Sequence, residues 1–279
     1  MGKNNYAMRP PPCPMPLFLE SLLAHRRLVF ELAKRDVVGR YKGSFLGSLW
    51  SLVNPIVILA LYTFVFGVIF KSRWTAHGSS IVEFAVVMFC GLILHGMVSE
   101  VLSRSPSLVT SQPNFVKKVV FPLDCLAWVI LAAALYHFAV ANVVMIVGVL
   151  LLRGDLPATA LFAPLVVMPL ALFLVGAAWI LAALGVFFRD LSQVINIFLS
   201  VLLFLAPVFY PLSSVPVALR PLVFLNPLTL IVEQYRNVLI WGHAPDWAAL
   251  GLYSVVAATV AWTGHHWFQK TRKDFADVL

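Results

Sequence analysis

Few side chains in this 279-residue chain combine the types and spacing that chemistry needs. Glu233 and Arg236 stand three apart, so on a helix they share a face. They read either as a local salt bridge or as the charged lining of a gate. Arg189-Asp190 closes a long apolar stretch. That pair reads as a helix-end ion pair, with Arg189 favoured by the negative end of the helix dipole, or as a contact for cytoplasmic machinery. His95 and His137 lie inside apolar stretches, where a polar side chain faces neighbouring helices. A hydrogen-bonded packing role competes there with a proton relay. His265-His266 read as interfacial packing rather than metal ligands. Cys13, Cys90 and Cys125 show no paired spacing, which supports neither a disulfide framework nor a zinc site.

Several chemistries are therefore not expected. No Ser-His-Asp order and no metal-ligand cluster stands out, so neither a catalytic residue nor a metal site is assigned. The only Gly-Lys pair, Gly2-Lys3, is followed by Asn4 and has no glycine five residues before the lysine, so it is no phosphate-binding loop. If ATP drives this protein, ATP and Mg belong to a partner chain. Ion-coupled carriers place Asp or Glu inside their spans. Here Glu83, Glu100 and Asp124 stand only at edges. They are also the only carboxylates that a membrane-embedded transferase, a remote alternative, could use.

The elements that must position these residues follow from composition. Hydrophobic residues make up 61% of the chain and charged ones 11%, against about 45–50% and roughly 25% in soluble domains. A free-standing soluble enzyme is excluded. A porin-type barrel is excluded as well, because the apolar runs are continuous rather than alternating. The net charge of +8 does not point to nucleic acid, since the basic residues are dispersed at segment ends. No cleavable signal peptide is expected, because Arg26 and Arg27 interrupt the first apolar stretch. Myristoylation is not expected either, because Tyr6 stands where Ser or Thr is wanted.

A spanning helix needs about 20 mostly apolar residues. Six such stretches predict spans at about 50–70, 84–101, 125–152, 162–188, 194–212 and 247–268. The fold class is thus an all-α integral membrane protein with six transmembrane helices, occupying residues 43–279. Lys3, Arg9, Arg26, Arg27, Lys34, Arg35, Arg40, Lys42, Arg104, Lys117, Lys118, Arg189, Lys270, Arg272 and Lys273 fall inside when both termini are cytoplasmic. Lys71, Arg73, Arg153, Arg220 and Arg236 fall outside. That bias sets the orientation. Asn226-Pro227 reads as a helix start, since Asn caps free amides and Pro has none to leave unpaired. The helix that follows has about 14 residues, or ~21 Å, too short to cross. Segment 213–241 is therefore a re-entrant or interfacial outer hairpin between the fifth and sixth spans. A seventh span here would put Lys270, Arg272 and Lys273 outside, against the charge rule.

Three parts lie outside the bilayer on the inner side. Residues 1–16 form an extended Pro-rich arm with Pro10, Pro11, Pro12, Pro14 and Pro16. In residues 17–42, Leu19, Leu22, Leu23, Phe30, Ala33, Val37 and Tyr41 recur at helical spacing with charges between them. This predicts an amphipathic interfacial helix, either a surface anchor or a lever on the first span. The loop 103–124 is the longest cytoplasmic connection, with a short basic helix predicted at 114–120. Ala178 with Ala182, and Ala257 with Ala261, are small residues one turn apart that suit close helix contact.

An ordered set of segments resembles the ABC-2 type permeases of polysaccharide export. Arg35-Asp36, Arg40-Tyr41, Ser44, Leu46-Gly47, Trp50 and Asn54-Pro55 resemble the start of their first span. Asn114-Phe115-Val116-Lys117-Lys118 with Phe121-Pro122 is similar to their second-to-third loop. Phe188-Arg189-Asp190 resembles the end of their fourth span. Pro207, Tyr210-Pro211, Pro216, Asn226-Pro227 and Arg236 resemble their outer hairpin. The resemblance covers about residues 17–270; the Pro-rich arm has no counterpart in it.

The resemblance implies a homodimer in the bacterial inner membrane that binds two copies of a cytoplasmic ATPase subunit. Arg35, Arg40, Asn114, Lys117, Lys118, Arg189 and Asp190 would be its coupling contacts. Tyr210, Pro211, Asn226, Pro227, Glu233 and Arg236 would form the outer gate. The cargo would be a lipid-linked polysaccharide: O-antigen first, or a capsular chain or teichoic acid. Inward-facing aromatics can stack on the apolar C–H faces of sugars, and Tyr62, Phe66, Phe70, Trp74 and Phe209 are the candidates. Membrane-belt residues are the alternative reading of those five. An exporter of small lipophilic drugs would share this architecture, whereas a gate-like hairpin argues against a purely structural scaffold.

Overall fold

A computed structural model describes residues 17–71, 74, 80–112 and 121–275. The Pro-rich arm and Asn114, Lys117 and Lys118 lie outside the described residues. Among the described residues the chain is almost wholly helical, with no strands. The expected interfacial helix is divided at His25, whose backbone leaves the helical region, into α1 (Leu17–Ala24) and α2 (Arg26–Tyr41). Val29, Ala33 and Val37, each one turn apart, form the buried stripe of α2, while Phe30 is 65% exposed.

The first span is α3 (Trp50–Tyr62), extended by a π-helical segment, Thr63–Ile69, in which Phe70 N–H reaches back to Val65 O. Next comes α4 (Ile81–Arg104), which Ser80 starts by accepting the Glu83 amide at 3.0 Å. α5 (Cys125–Arg153) ends on Gly154, whose φ of +82° is open to glycine at little cost. α6 (Ala163–Phe187) and α7 (Leu191–Leu205) follow, then the two arms of the outer hairpin, α8 (Arg220–Phe224) and α9 (Pro227–Arg236). α10 (Trp247–Thr271) starts where Asp246 accepts the Ala248 and Ala249 amides, both at 3.0 Å.

Among the described residues five helices are long and apolar enough to cross a membrane, or six if the bent hairpin counts as one. α7, at the expected fifth span, has 15 residues, or ~22 Å. It stops at Ala206 because Pro207 brings no amide and starts a non-helical turn. The hairpin arms Val217–Phe224 and Pro227–Trp241 meet at 97°, and the second closes in a π-turn, Asn237–Trp241.

Burial is uneven. In α4, 67% of the apolar window is buried within the chain, against 6% in the first span. α6 and α10 make the tightest contact, with Ala178, Ala182, Ala257 and Ala261 fully buried. A Cβ on Gly176 would stand 2.6 Å from the Ala261 Cα, and one on Gly264 would collide with the Gly176 carbonyl. Gly176→Ala therefore lowers stability by about 1–3 kcal/mol, read as an earlier melting transition in detergent. Gly251→Ala on α10 meets nothing within 4 Å and should stay within about 0.5 kcal/mol of the native chain.

Candidate functional site

α3 and the turn after α7 bring together four of the five aromatics singled out in the sequence. Phe66 stacks on Phe209 with ring centres 4.9 Å apart and planes at 16°. Tyr62 lies 6.1 Å from Phe66 and 5.5 Å from Phe209. Phe70 continues the row 5.6 Å beyond Phe66, and Phe204 joins it 5.8 Å from Phe209. Steps of four residues would rotate the row around an α-helix; the wider π-turn offsets that drift and keeps Tyr62, Phe66 and Phe70 in line. Trp74 is elsewhere, 6.3 Å from Phe84.

Arg236 is 1% exposed and engages its whole guanidinium. Nε donates to Val87 O at 3.0 Å, one terminal nitrogen to Pro207 O at 2.6 Å and Glu233 Oε1 at 2.9 Å, and the other to Val208 O at 3.2 Å. Its carbon lies 4.4 Å from the centre of the Trp74 ring. The Glu233 salt bridge is thus present, within a clamp that ties α9 to α4 and to the chain break after α7. At the other end of α9, Asn226 is buried: Oδ1 accepts Leu228 N–H at 2.9 Å, as its sequence position predicts, while Nδ2 donates to Leu202 O at 2.8 Å. Pro227 opens α9. Tyr210 donates to Leu205 O at 2.9 Å and closes the end of α7. Pro211 leads into a short 3₁₀ turn, Leu212–Ser214.

On the other side of the molecule, an ion network joins α2 to α4 and α5. Arg104 grips Asp36 with two hydrogen bonds of 2.6 and 2.9 Å. Arg40 contacts Glu100 at 2.5 Å and Asp36 at 3.7 Å. His137 Nδ1 lies 2.9 Å from Glu100, and its Nε2 3.1 Å from the Tyr41 hydroxyl. With Nδ1 protonated, His137 donates to the carboxylate and accepts from Tyr41. Burial raises the Tyr41 pKa, with Arg40 opposing, so the phenol stays a neutral donor.

A cleft of about 760 Å³ is lined both by this network, through Asp36, Arg40 and Arg104, and by Tyr62 and Leu203. It therefore runs between the charged side and the first ring of the aromatic row. His95 also lines it and is held to α7 by a 3.1 Å contact with Leu199 O, which makes it a packing residue here.

Arg40 thus pairs with Glu100 and Asp36 while staying partly exposed, and Arg35 is exposed on α2. Arg189 and Asp190 stand at the α6–α7 corner, where the Asp190 carbonyl accepts the Gln193 amide at 3.0 Å. Among the described residues no ion pair joins them. Arg189 instead lines an open cleft of about 560 Å³ with Pro106, Ser107 and Phe187. Among the described residues no cluster of His, Cys, Asp and Glu could hold a metal. The sequence reading weighed Glu100 and His137 only singly and did not join them with Asp36, Tyr41 and Arg104 into one network. The i,i+4 pairs Asp36–Arg40 and Glu100–Arg104 were the available signal.

Comparison with known proteins adds a family. The profile described as ABC-2 type transporter matches residues 27–240. The chain is similar to the O-antigen export system permease protein RfbA of Myxococcus xanthus, 28% identical over 94% of this chain and 98% of that protein. It is similar to the polysialic acid transport protein KpsM of Escherichia coli, 24% identical over 82% and 88%. The capsule polysaccharide export inner-membrane protein CtrC of Neisseria meningitidis serogroup A is 26% identical over 78% and 81%.

The two polar constructions can be tested separately. Arg236→Lys keeps the charge but loses the planar fork, and each carbonyl left unpaired costs about 1–3 kcal/mol. Hydrogen exchange across residues 206–224 should then accelerate while α10 stays protected. For the network, a double-mutant cycle of Asp36→Asn with Arg104→Gln should return a coupling of about 0.5–3 kcal/mol in thermal unfolding. Simple additivity would argue against the pair.

Proposed function

The chain belongs to the ABC-2 type transporter family, and from that membership we propose that it is the membrane-spanning permease subunit of an ATP-driven exporter of lipid-linked polysaccharide, O-antigen foremost. The observation that carries this reading is the cleft that leads from the Asp36–Arg104 network to Tyr62, the first ring of the aromatic row. A row of ring faces suits a polymer of sugars. Each sugar offers an apolar face to stack and hydroxyls that stay solvated, so successive units bind alike and can slide.

One copy does not enclose such a path. The first span is almost unburied in the chain, and on α7 Val194, Ile197, Val201 and Phe204 are more than half exposed. Two copies that pair through α3 and α7 would cover these faces and place a cleft from each on a shared axis. In this reading the permease is a homodimer, ATP and Mg bind a separate cytoplasmic subunit present twice, and both termini are cytoplasmic. Arg35, Arg189 and Asp190 are exposed for docking that subunit, and Asn114, Lys117 and Lys118 are assigned with them from the sequence pattern. Arg40 acts one step further in: held by Glu100, it passes movement of α2 to α4. The α8–α9 hairpin, braced by Arg236, closes the outer end.

Two outcomes test this reading. The purified chain alone should hydrolyse no ATP, and hydrolysis should appear only with the partner subunit. Phe66→Ala and Phe209→Ala should each slow glycan export about two- to tenfold, the factor implied by ~0.5–1.5 kcal/mol per ring contact. ATPase binding should be unchanged, and lipid-linked glycan should accumulate on the cytoplasmic face. Normal export in both variants would remove the aromatic row from the path.

A further inference from the structure

A second opening has no part in the cleft. A groove of about 550 Å³ lies where α2 packs on α5, within the size range of small-molecule pockets, ~300–1,000 Å³. Ala33 and Val37 form its buried floor, and Phe30 and Tyr136 are exposed along its sides. Lys34 and Lys42 stand on its rim. No carboxylate lines it, and among the described residues neither lysine makes an ion pair.

The 3₁₀ turn Gly47–Leu49 closes the third side with Gly47 and Ser48. Gly47 holds φ +52°, and a Cβ there would meet nothing within 4 Å, so the groove mouth stays open. Around that mouth Phe45 is fully exposed and Leu49 60% exposed. Large apolar side chains bare at the end of an amphipathic helix mark a surface immersed in lipid. The site thus joins an apolar slot to two rim lysines that make no ion pair among the described residues.

We propose that this groove binds an anionic phospholipid, with an acyl chain along Ala33 and Val37 and the headgroup phosphate between Lys34 and Lys42. With α2 at the cytosolic interface, as the charge distribution predicts, the bound lipid comes from the inner leaflet, whose acidic lipids attract basic segments close to the surface. It fills the space between α2 and α5 and so fixes the height at which α2 rides on the bundle. The inference is independent of which cargo is exported.

The test uses the permease with its partner ATPase in phosphatidylcholine nanodiscs, with spin-labelled phosphatidylglycerol or phosphatidylcholine as probe and the motionally restricted fraction as readout. Phosphatidylglycerol should be preferred. The preference should fall about fivefold for each lysine replaced in Lys34→Gln and Lys42→Gln, and weaken with salt. Val38→Trp, at a 56% exposed groove residue, should displace the restricted lipid with both lysines intact. An unchanged preference in the double lysine variant, or an unchanged restricted fraction in Val38→Trp, would overturn the site. So would a Val38→Cys disulfide between two permease copies, or restricted lipid that is present in a parallel sample of the permease alone and lost in the complex, since either assigns the groove to a protein. These outcomes leave glycan export, measured separately, unaffected as a criterion.

Discussion

A polypeptide that turns back inside a membrane protein must still find partners for its backbone, because hydrocarbon offers none. Here α7 ends at Ala206, and the outer hairpin bends by 97° instead of crossing. The carbonyls of Pro207 and Val208 are released from helical bonding at that break, and the Arg236 guanidinium takes both. It also takes Val87 O on α4 and the Glu233 carboxylate. One side chain thereby allows a short helix, a chain break and a re-entrant arm to exist side by side. Lysine could not do this, since its ammonium is a point charge without a planar fork. The aromatic row depends on the same clamp, because Phe209 directly follows the residues that Arg236 holds.

The opposite side of the molecule uses charge differently. Asp36, Arg40, Glu100 and Arg104 alternate in sign and are half-buried, so each is compensated without being sealed from water. Such a network holds α2 against the bundle, yet water can replace its contacts. That suits a joint that must move, whereas the enclosed guanidinium suits a brace that must not. Between them, α6 and α10 approach so closely that Gly176 and Gly264 have no room for a side chain. Hydrophobic attraction between helices is weak in lipid, so close contact of small residues supplies the adhesion.

The faces left bare follow from that arrangement. α4, α5, α6 and α9 bury one another, and α3 and α7 are left on the outside, carrying the aromatic row and one wall of the cleft. The proposed glycan path thus lies on sparsely packed helices. Their sequences are as apolar as the core, and only their position separates them from it.

That distinction marks how far the sequence reached. Continuous apolar runs located the membrane helices, because a helix must hide its own backbone in lipid whatever surrounds it. Local hydrogen-bonding rules located the Asn226-Pro227 start and the Glu233–Arg236 pair, since these partners lie within one turn. The shortness of α7 was less legible: the apolar run continued beyond Ala206, and the break at Pro207 depends on acceptors being satisfied from elsewhere. The tertiary structure alone decided the other partners of Arg236, for carbonyl acceptors belong to every residue and leave no mark on sequence. The Arg40–Glu100 contact was not legible either, because the two partners stand 60 residues apart. Four of the five chosen aromatics met in one row and Trp74 did not. Ring type can be read from the chain, but which rings face each other depends on the wider π-turn and on how α3 and α7 pack.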